Sequence, residues 1–227
     1  MKAAAIVFTE INRAEFGEID VPEPGPGEVQ IRTLASLIST GTERWILRNE
    51  FTWYATPYPC VPGYQRAGIV VKLGPGVAGL RVGDRVMATR SSWKGDIRPF
   101  NGAHAALANT AAEEVYKLPD AVKDADAAGL VVAQVGYNAA SRIALRLDDW
   151  VVVFGDGLIG QCALQAAKAR GARTILVGRR SERLAASAGI WADHAVNSRS
   201  VDAAEEILSI TRGKPVAAVI DTVQNEA

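Results

Sequence analysis

Apolar residues are spaced in two different ways along this chain. In the first half they form short runs cut by Gly and Pro. "KAAAIVF" predicts a strand, and "VPEPGPGEVQIRTLAS" predicts a punctuated loop running into a second strand over Glu28–Ser36. "GTERWILRNE" sets Trp45, Ile46 and Leu47 among charges and suits a short helix. "RAGIVVKLG", "GLRVGDRVMA" and "AHAALANTAAEEVYKLP" predict further short strands separated by turns. Many short strands with frequent breaks imply a compact, partly closed β-rich domain.

Near Val122 the texture changes. "VKDADAAGLVVAQVGYNAASRIALRL" places Ala, Leu and Val at helical spacing without proline. "DDWVVVFGDGLIGQCALQAAKARGARTILVGRR" then alternates strand, helix and strand. "SERLAASAGIWADHAVNS" and "DAAEEILSITRGKPVAAVIDTV" each add a helix and a strand. Alternating β and α implies a parallel sheet covered by helices. The expected division is 1–121 for the β-rich domain and 122–227 for the α/β domain.

Composition narrows the function. Hydrophobic residues are 48% and charged residues 22% of the chain, so a packed core is expected. The 25 basic and 25 acidic residues cancel, leaving no excess to neutralise a phosphate backbone or an anionic bilayer. Nucleic acid and membrane are therefore not expected as partners, and a small-molecule substrate is. Cys60 and Cys162 form no CxxC pair, and a disulfide framework is not expected. The N-terminal apolar run meets Asn12, Arg13 and Glu15 too early for a signal peptide, and no apolar run would span a bilayer. A soluble cytoplasmic protein is the expectation.

The strongest chemistry lies in "VVVFGDGLIGQC". Gly155, Gly157 and Gly160 form G-x-G-x-x-G after a four-residue apolar strand and open a helix through Leu158 and Ile159. In that setting the first glycine permits a tight turn and the second lets the backbone approach a pyrophosphate. The third lets helix and strand pack closely, and the helix start offers N–H groups to the anion. NAD sites place a carboxylate at the end of the next strand; here Gly178, Arg179, Arg180 and Ser181 stand there. A guanidinium pairs with a 2′-phosphate that a carboxylate would repel, so NADP(H) is favoured. The plainer reading of "RRSER" is a solvated basic turn.

"YPCVPGYQRAGIVVKLGPGV" resembles the medium-chain dehydrogenase/reductase family, which includes the zinc alcohol dehydrogenases. The resemblance implies a GroES-like N-terminal domain followed by a Rossmann-type, doubly wound parallel sheet. Four strands are expected here against six in a complete sheet, so the sheet reads as truncated. A strand beyond these four commonly builds the family's dimer sheet, so a homo-oligomer formed through it is an expectation of the resemblance.

The resemblance also locates three zinc-ligand positions. The Cys of the family's "G-x-C-x-S/T-D" segment corresponds to Thr40, or to Ser39 with a one-residue shift. The His corresponds to Tyr64, and the third ligand falls near Val131. A hydroxyl, a phenol and an aliphatic side chain do not hold Zn²⁺, and the four cysteines of the structural-zinc lobe are missing. No metal is expected. Zinc-free relatives, quinone oxidoreductases and enoyl reductases among them, mostly use NADPH. Here Thr40, Thr42 and Tyr64 become the candidate catalytic hydroxyls, Thr42 matching the family's proton-relay position.

Plainer uses are open to the same residues. Tyr64 can fill the volume of the lost metal, Thr40 and Thr42 can cap the following helix, and for His104 a strand-packing role is favoured over that of a proton shuttle. "ISTGTER" with "VPGY" is locally similar to the bacteriochlorophyllide dehydrogenase branch, which implies a pigment-pathway alcohol dehydrogenase as a second reading. A non-catalytic nucleotide-binding protein or fragment is the third.

Overall fold

A computed structural model describes residues 1–223. It divides into two compact units, Met1–Val131 and a second that begins at Val132.

The first unit is built from β1 (Lys2–Glu10), β2 (Arg13–Asp20), β3 (Glu28–Ser36), α1 (Thr40–Arg48), β4 (Cys60–Val61), β5 (Arg66–Leu73), β6 (Arg85–Ala88), β7 (Arg98–Pro99), β8 (Leu107–Ala111), β9 (Val115–Lys117) and α2 (Asp124–Ala127). These strands form two sheets, ordered β2-β1-β4-β7 and β8-β3-β5-β6-β9. The inward faces carry small and branched residues. Ala3, Ala5, Val7, Val61 and Trp93 make one cluster, and Val29, Ile31, Val70 and Val86 another. α1 sits over a third cluster of Phe8, Ile46 and Cys60. Its Ile46 and Glu43 are buried while Arg44 and Arg48 are exposed, an amphipathic pattern at helical spacing.

β2 has no counterpart in the apolar pattern. "RAEFGEID" is mostly exposed and pairs only with β1, through a tight connection in which Asn12 adopts φ 63°. Only Ile19 of this edge strand is buried in the core, so β2 leaves no run of alternating apolar residues to read.

The texture change at Val122 precedes the structural division because the intervening segment folds back on the first unit. Ala127 and Ala128 pack with Ala67 and with Ala35, Leu37 and Leu118. The division falls inside α3 (Leu130–Ser141).

The second unit contains β10 (Trp150–Phe154), α4 (Leu158–Ala169), β11 (Arg173–Gly178), α5 (Ser181–Ala185), β12 (His194–Asn197), α6 (Ala203–Thr211) and β13 (Ala218–Asp221). All of its strands run parallel, in the order β12-β11-β10-β13, each connected by a helix. That is the 3-2-1-4 order of half a doubly wound sheet. β10 is buried along nearly its whole length between α3 and α4 on one side and α6 on the other. A continuous apolar run such as "WVVVF" is what a strand covered on both faces requires.

Candidate active site

Two clefts, one in each unit, collect most of the chemistry. The cleft of the second unit has a volume of about 550 Å³ and opens at the carboxyl ends of β10, β11 and β13. It collects Gly155, Asp156 and Gly157 from the first turn and Gly178, Arg179 and Arg180 from the second. It adds Arg183 from α5 and Ser198 and Arg199 from the turn after β12.

The turn is set by its glycines. Gly155 has φ +112°, a conformation that L side chains rarely adopt, and a Cβ there would collide with the Thr222 hydroxyl. Gly160 lies under the turn, and a Cβ on it would overlap the Gly155 carbonyl oxygen. Gly157 is the N-cap of α4 and provides no side-chain cap, so Leu158 and Ile159 open a helix whose positive end is uncapped.

Asp156 organises the second turn. Its Oδ2 accepts the Arg179 N–H at 2.9 Å and the Arg180 N–H at 2.8 Å, with the Arg183 guanidinium 3.8 Å from Oδ1. Burial by itself would raise this carboxyl. The N–H donors of Arg180 and Arg179, with the charges of Arg180 and Arg183, outweigh burial and hold it below the usual carboxylate range. Gly178 leaves room for it, since a Cβ there would stand 2.7 Å from the Asp156 side chain. Asp156 thus fixes the backbone from which the exposed Arg179 and Arg180 side chains project. Arg183, Ser198 and Arg199 were missed in the sequence. The available signal was a third polar turn, "NSRS", after β12 in the same parallel sheet.

The cleft of the first unit has a volume of about 620 Å³. Ile6, Phe8, Leu34, Ile38 and Leu47 make its apolar walls, and Ser36, Thr40, Glu43, Arg44 and His104 supply polar groups. His104 is buried and bonded at both ring nitrogens, Nδ1 to Ser36 Oγ at 2.8 Å and Nε2 to Glu43 Oε2 at 2.9 Å. His104 lies in the turn before β8 rather than within a strand, and both of its nitrogens are engaged by polar side chains. Ser36 and Glu43 were not singled out in the sequence. They lie at the end of β3 and within α1, and nothing in local spacing links them to residue 104.

Thr40, Thr42 and Tyr64 are not gathered at one place. Thr40 is the exposed first residue of α1 and lines the 620 Å³ cleft. Thr42 lies beside a separate cleft with Phe51, Trp53, Tyr54 and Phe100. Tyr64 is half-buried between β4 and β5 and lines neither. The two threonines do not cap α1 either. Ser39 is the N-cap residue, and Glu43 accepts its backbone N–H at 2.9 Å. Thr42 Oγ1 instead accepts from Ser39 Oγ at 3.3 Å.

Comparison with known proteins places this geometry. The profile of the alcohol dehydrogenase GroES-like domain matches residues 25–120, and that of the zinc-binding dehydrogenase matches residues 159–227. The chain belongs to the medium-chain dehydrogenase/reductase family. It is 27% identical over 266 residues to an alcohol dehydrogenase of Cupriavidus necator, a match covering 100% of this chain and 71% of the relative. An alcohol dehydrogenase superfamily protein from Novosphingobium aromaticivorans superposes with a TM-score of 0.82 at 28% identity, covering 97% of this chain and 66% of its own. The quinone oxidoreductase of Escherichia coli, solved in complex with NADPH, gives 0.82 at 26% identity, covering 99% of this chain and 67% of that one.

A family of this name raises the question of zinc, and the residues present do not fit the metal. The resemblance sets Thr40 (or Ser39), Tyr64 and the neighbourhood of Val131 at the ligand positions, and none of these side chains is a zinc ligand. The Val131 N–H is donated to Gln65 Oε1 at 3.1 Å. Among the described residues no three His, Cys, Asp or Glu side chains come together to hold a metal ion. A dinucleotide does fit the second cleft, because the two glycines that a Cβ would obstruct lie beside an uncapped helix start and a cluster of arginines. Among the described residues no helix is long and apolar enough to cross a membrane.

Proposed function

We propose that the protein is a zinc-independent oxidoreductase that uses NADP(H) and acts on a carbonyl compound, an alcohol or an activated alkene. The observation that carries this reading is the cleft of the second unit. Among the described residues, four arginines, Arg179, Arg180, Arg183 and Arg199, line it with two aspartates, Asp156 and Asp221. Gly155, Gly157, Leu158, Ile159 and Gly160 would hold the pyrophosphate, and Gly178, Arg179 and Arg180 the phosphorylated ribose. Bound there, the nicotinamide supplies or accepts a hydride. The chain's own residues bind and orient both reactants, and of the three candidate hydroxyls Thr40, which lines the cleft of the first unit, is the one placed to meet the charge that develops on a substrate oxygen there.

The test is cofactor preference. A charge-assisted pair to the 2′-phosphate is worth ~1.5–3 kcal/mol, so NADPH is expected to bind roughly tenfold or more tightly than NADH. Replacing Arg179 and Arg180 together by Ala removes the preference and leaves NADH binding nearly unchanged, as measured by titration calorimetry. Equal affinities for the two nucleotides in the unaltered protein would refute the assignment.

A further inference from the structure

We propose that Ser36, His104 and Glu43 form a proton relay opening into the 620 Å³ cleft of the first unit. It exchanges the proton when an apolar alcohol and its carbonyl compound are interconverted. The inference rests on the oxidoreductase reading and adds the group that holds the proton. Near neutral pH a Thr or Tyr hydroxyl passes a proton on but keeps none in reserve, whereas an imidazole takes one up and gives it back.

The three side chains come from three separate segments and meet at hydrogen-bond distance. Ser36 Oγ stands 2.8 Å from His104 Nδ1, and His104 Nε2 stands 2.9 Å from Glu43 Oε2. The His104 and Glu43 side chains are each 5% exposed, while Ser36 is half-buried, and all three line the cleft. Ser36 is therefore the outer end of the chain.

Each member is held in place by a further contact. The other oxygen of Glu43 accepts the Ser39 N–H at 2.9 Å. The His104 backbone is tied on both sides, its N–H to the Pro62 carbonyl at 3.2 Å and its carbonyl to the Ile6 N–H at 2.9 Å. Gly63, at φ +89°, makes room for the ring, since a Cβ there would stand 2.7 Å from Nε2. So fixed, the ring needs no rearrangement at the moment of reaction.

The bonding pattern assigns the roles. A carboxylate only accepts, so Nε2 carries the hydrogen, and in the neutral ring Nδ1 accepts from Ser36. In oxidation the alcohol proton passes to Ser36 Oγ as the Ser36 proton moves to Nδ1. The carbon–hydrogen bond breaks, its electron pair leaving with the hydride, and the carbonyl forms. The resulting imidazolium faces the Glu43 carboxylate. In reduction the imidazolium returns its proton through Ser36 to the substrate oxygen as that oxygen gains charge. The relay moves protons only, and NADP(H) carries both electrons. Ile6, Phe8, Leu34, Ile38 and Leu47 around it suit an apolar alcohol or ketone rather than a polyol.

The experiment compares the unaltered protein with Ser36→Ala, Ser36→Thr and His104→Gln, using NADP(H) with apolar secondary alcohols and their ketones. Loss of a general acid–base group is expected to lower kcat by ~10²–10⁴-fold in Ser36→Ala and His104→Gln. KM and NADPH affinity should stay within about twofold, because the relay acts in the transition state. Ser36→Thr keeps the hydroxyl and should recover most of the activity. The solvent deuterium isotope effect on kcat should change in the impaired variants, which a packing role would not produce. Should His104→Gln fail to fold, Ser36→Ala, which removes one half-buried oxygen, still decides the matter. Full turnover of Ser36→Ala in an active protein overturns the relay alone. Absence of NADP(H)-linked turnover in the unaltered protein overturns the oxidoreductase reading and the relay with it.

Discussion

Arg66 is the most unusual single residue in the molecule. It is fully buried in β5 and its partners are neutral oxygens: Thr33 Oγ1 at 3.2 Å, Thr110 Oγ1 at 2.7 Å and the Ala108 carbonyl at 3.5 Å. Nε has no partner. Burial lowers the guanidinium to about 10, from an ordinary value of 12.5. A cation lowered in the fold keeps its proton to higher pH when unfolded. The cost of burying its charge is thus present at every pH below about 10 and is relieved only above it. Thr33 and Thr110 already donate to the Ala105 and Arg90 carbonyls, so removing Arg66 strands neither hydroxyl. Arg66→Met, which keeps most of the volume, should leave the melting temperature unchanged or higher, whereas Arg66→Ala leaves a void and should cost ~2–5 kcal/mol. A large loss in Arg66→Met at neutral pH would show the buried charge to be stabilising. Tyr64 is the other residue-scale test. Tyr64→Phe keeps the ring and removes the hydroxyl, and if the phenol donates to the developing oxyanion, turnover falls by ~10²-fold with NADPH affinity unchanged. Unchanged turnover would leave Tyr64 as packing.

Among the elements, α1 and α4 carry glycines with opposite consequences. Gly160 lies in the first turn of α4, and any side chain there would meet the Gly155 carbonyl. Backbone atoms give little, so Gly160→Ala must push α4 away from β10 and disturb the phosphate turn with it. The expected result is a lower melting temperature and at least about tenfold weaker NADPH binding, a loss of ~1.4 kcal/mol. Gly41 lies in the first turn of α1, and a Cβ added to it would meet nothing within 4 Å. Gly41→Ala should stabilise by ~0.4–1 kcal/mol through the unfolded chain's lost freedom, read from denaturant titration. A destabilised Gly41→Ala would mean that the start of α1 needs glycine for something other than space.

At the scale of the whole molecule, the question is what replaces the metal of a zinc dehydrogenase. Thr40, Tyr64 and Val131 make no ligand set, and the described residues contain no alternative cluster. Purified protein is therefore expected to hold well under one zinc per chain by elemental analysis, and a chelator should not shift its melting temperature. About one tightly held zinc per chain would defeat the zinc-independent reading. NADPH, in contrast, should raise the melting temperature, since a ligand at a hundredfold its Kd adds ~2.7 kcal/mol to the stability of the state it binds.

The sequence by itself determined whatever depends on neighbours along the chain. Periodicity gave the parallel strands β10 to β13 and the helices between them, because a buried strand and an amphipathic helix each leave their spacing in the order of residues. The G-x-G-x-x-G turn was legible for the same reason, since its three glycines act within six residues of one another. The tertiary structure decided what depends on residues far apart. Ser36, Glu43 and His104 converge because β3, α1 and the segment before β8 are folded against one another, and no local spacing records that meeting. It also separated Thr40 from Thr42. Two residues apart on a helix, their side chains point about 200° apart around the axis and face different clefts. β2 stayed hidden because an edge strand is held by backbone hydrogen bonds, which any sequence can make.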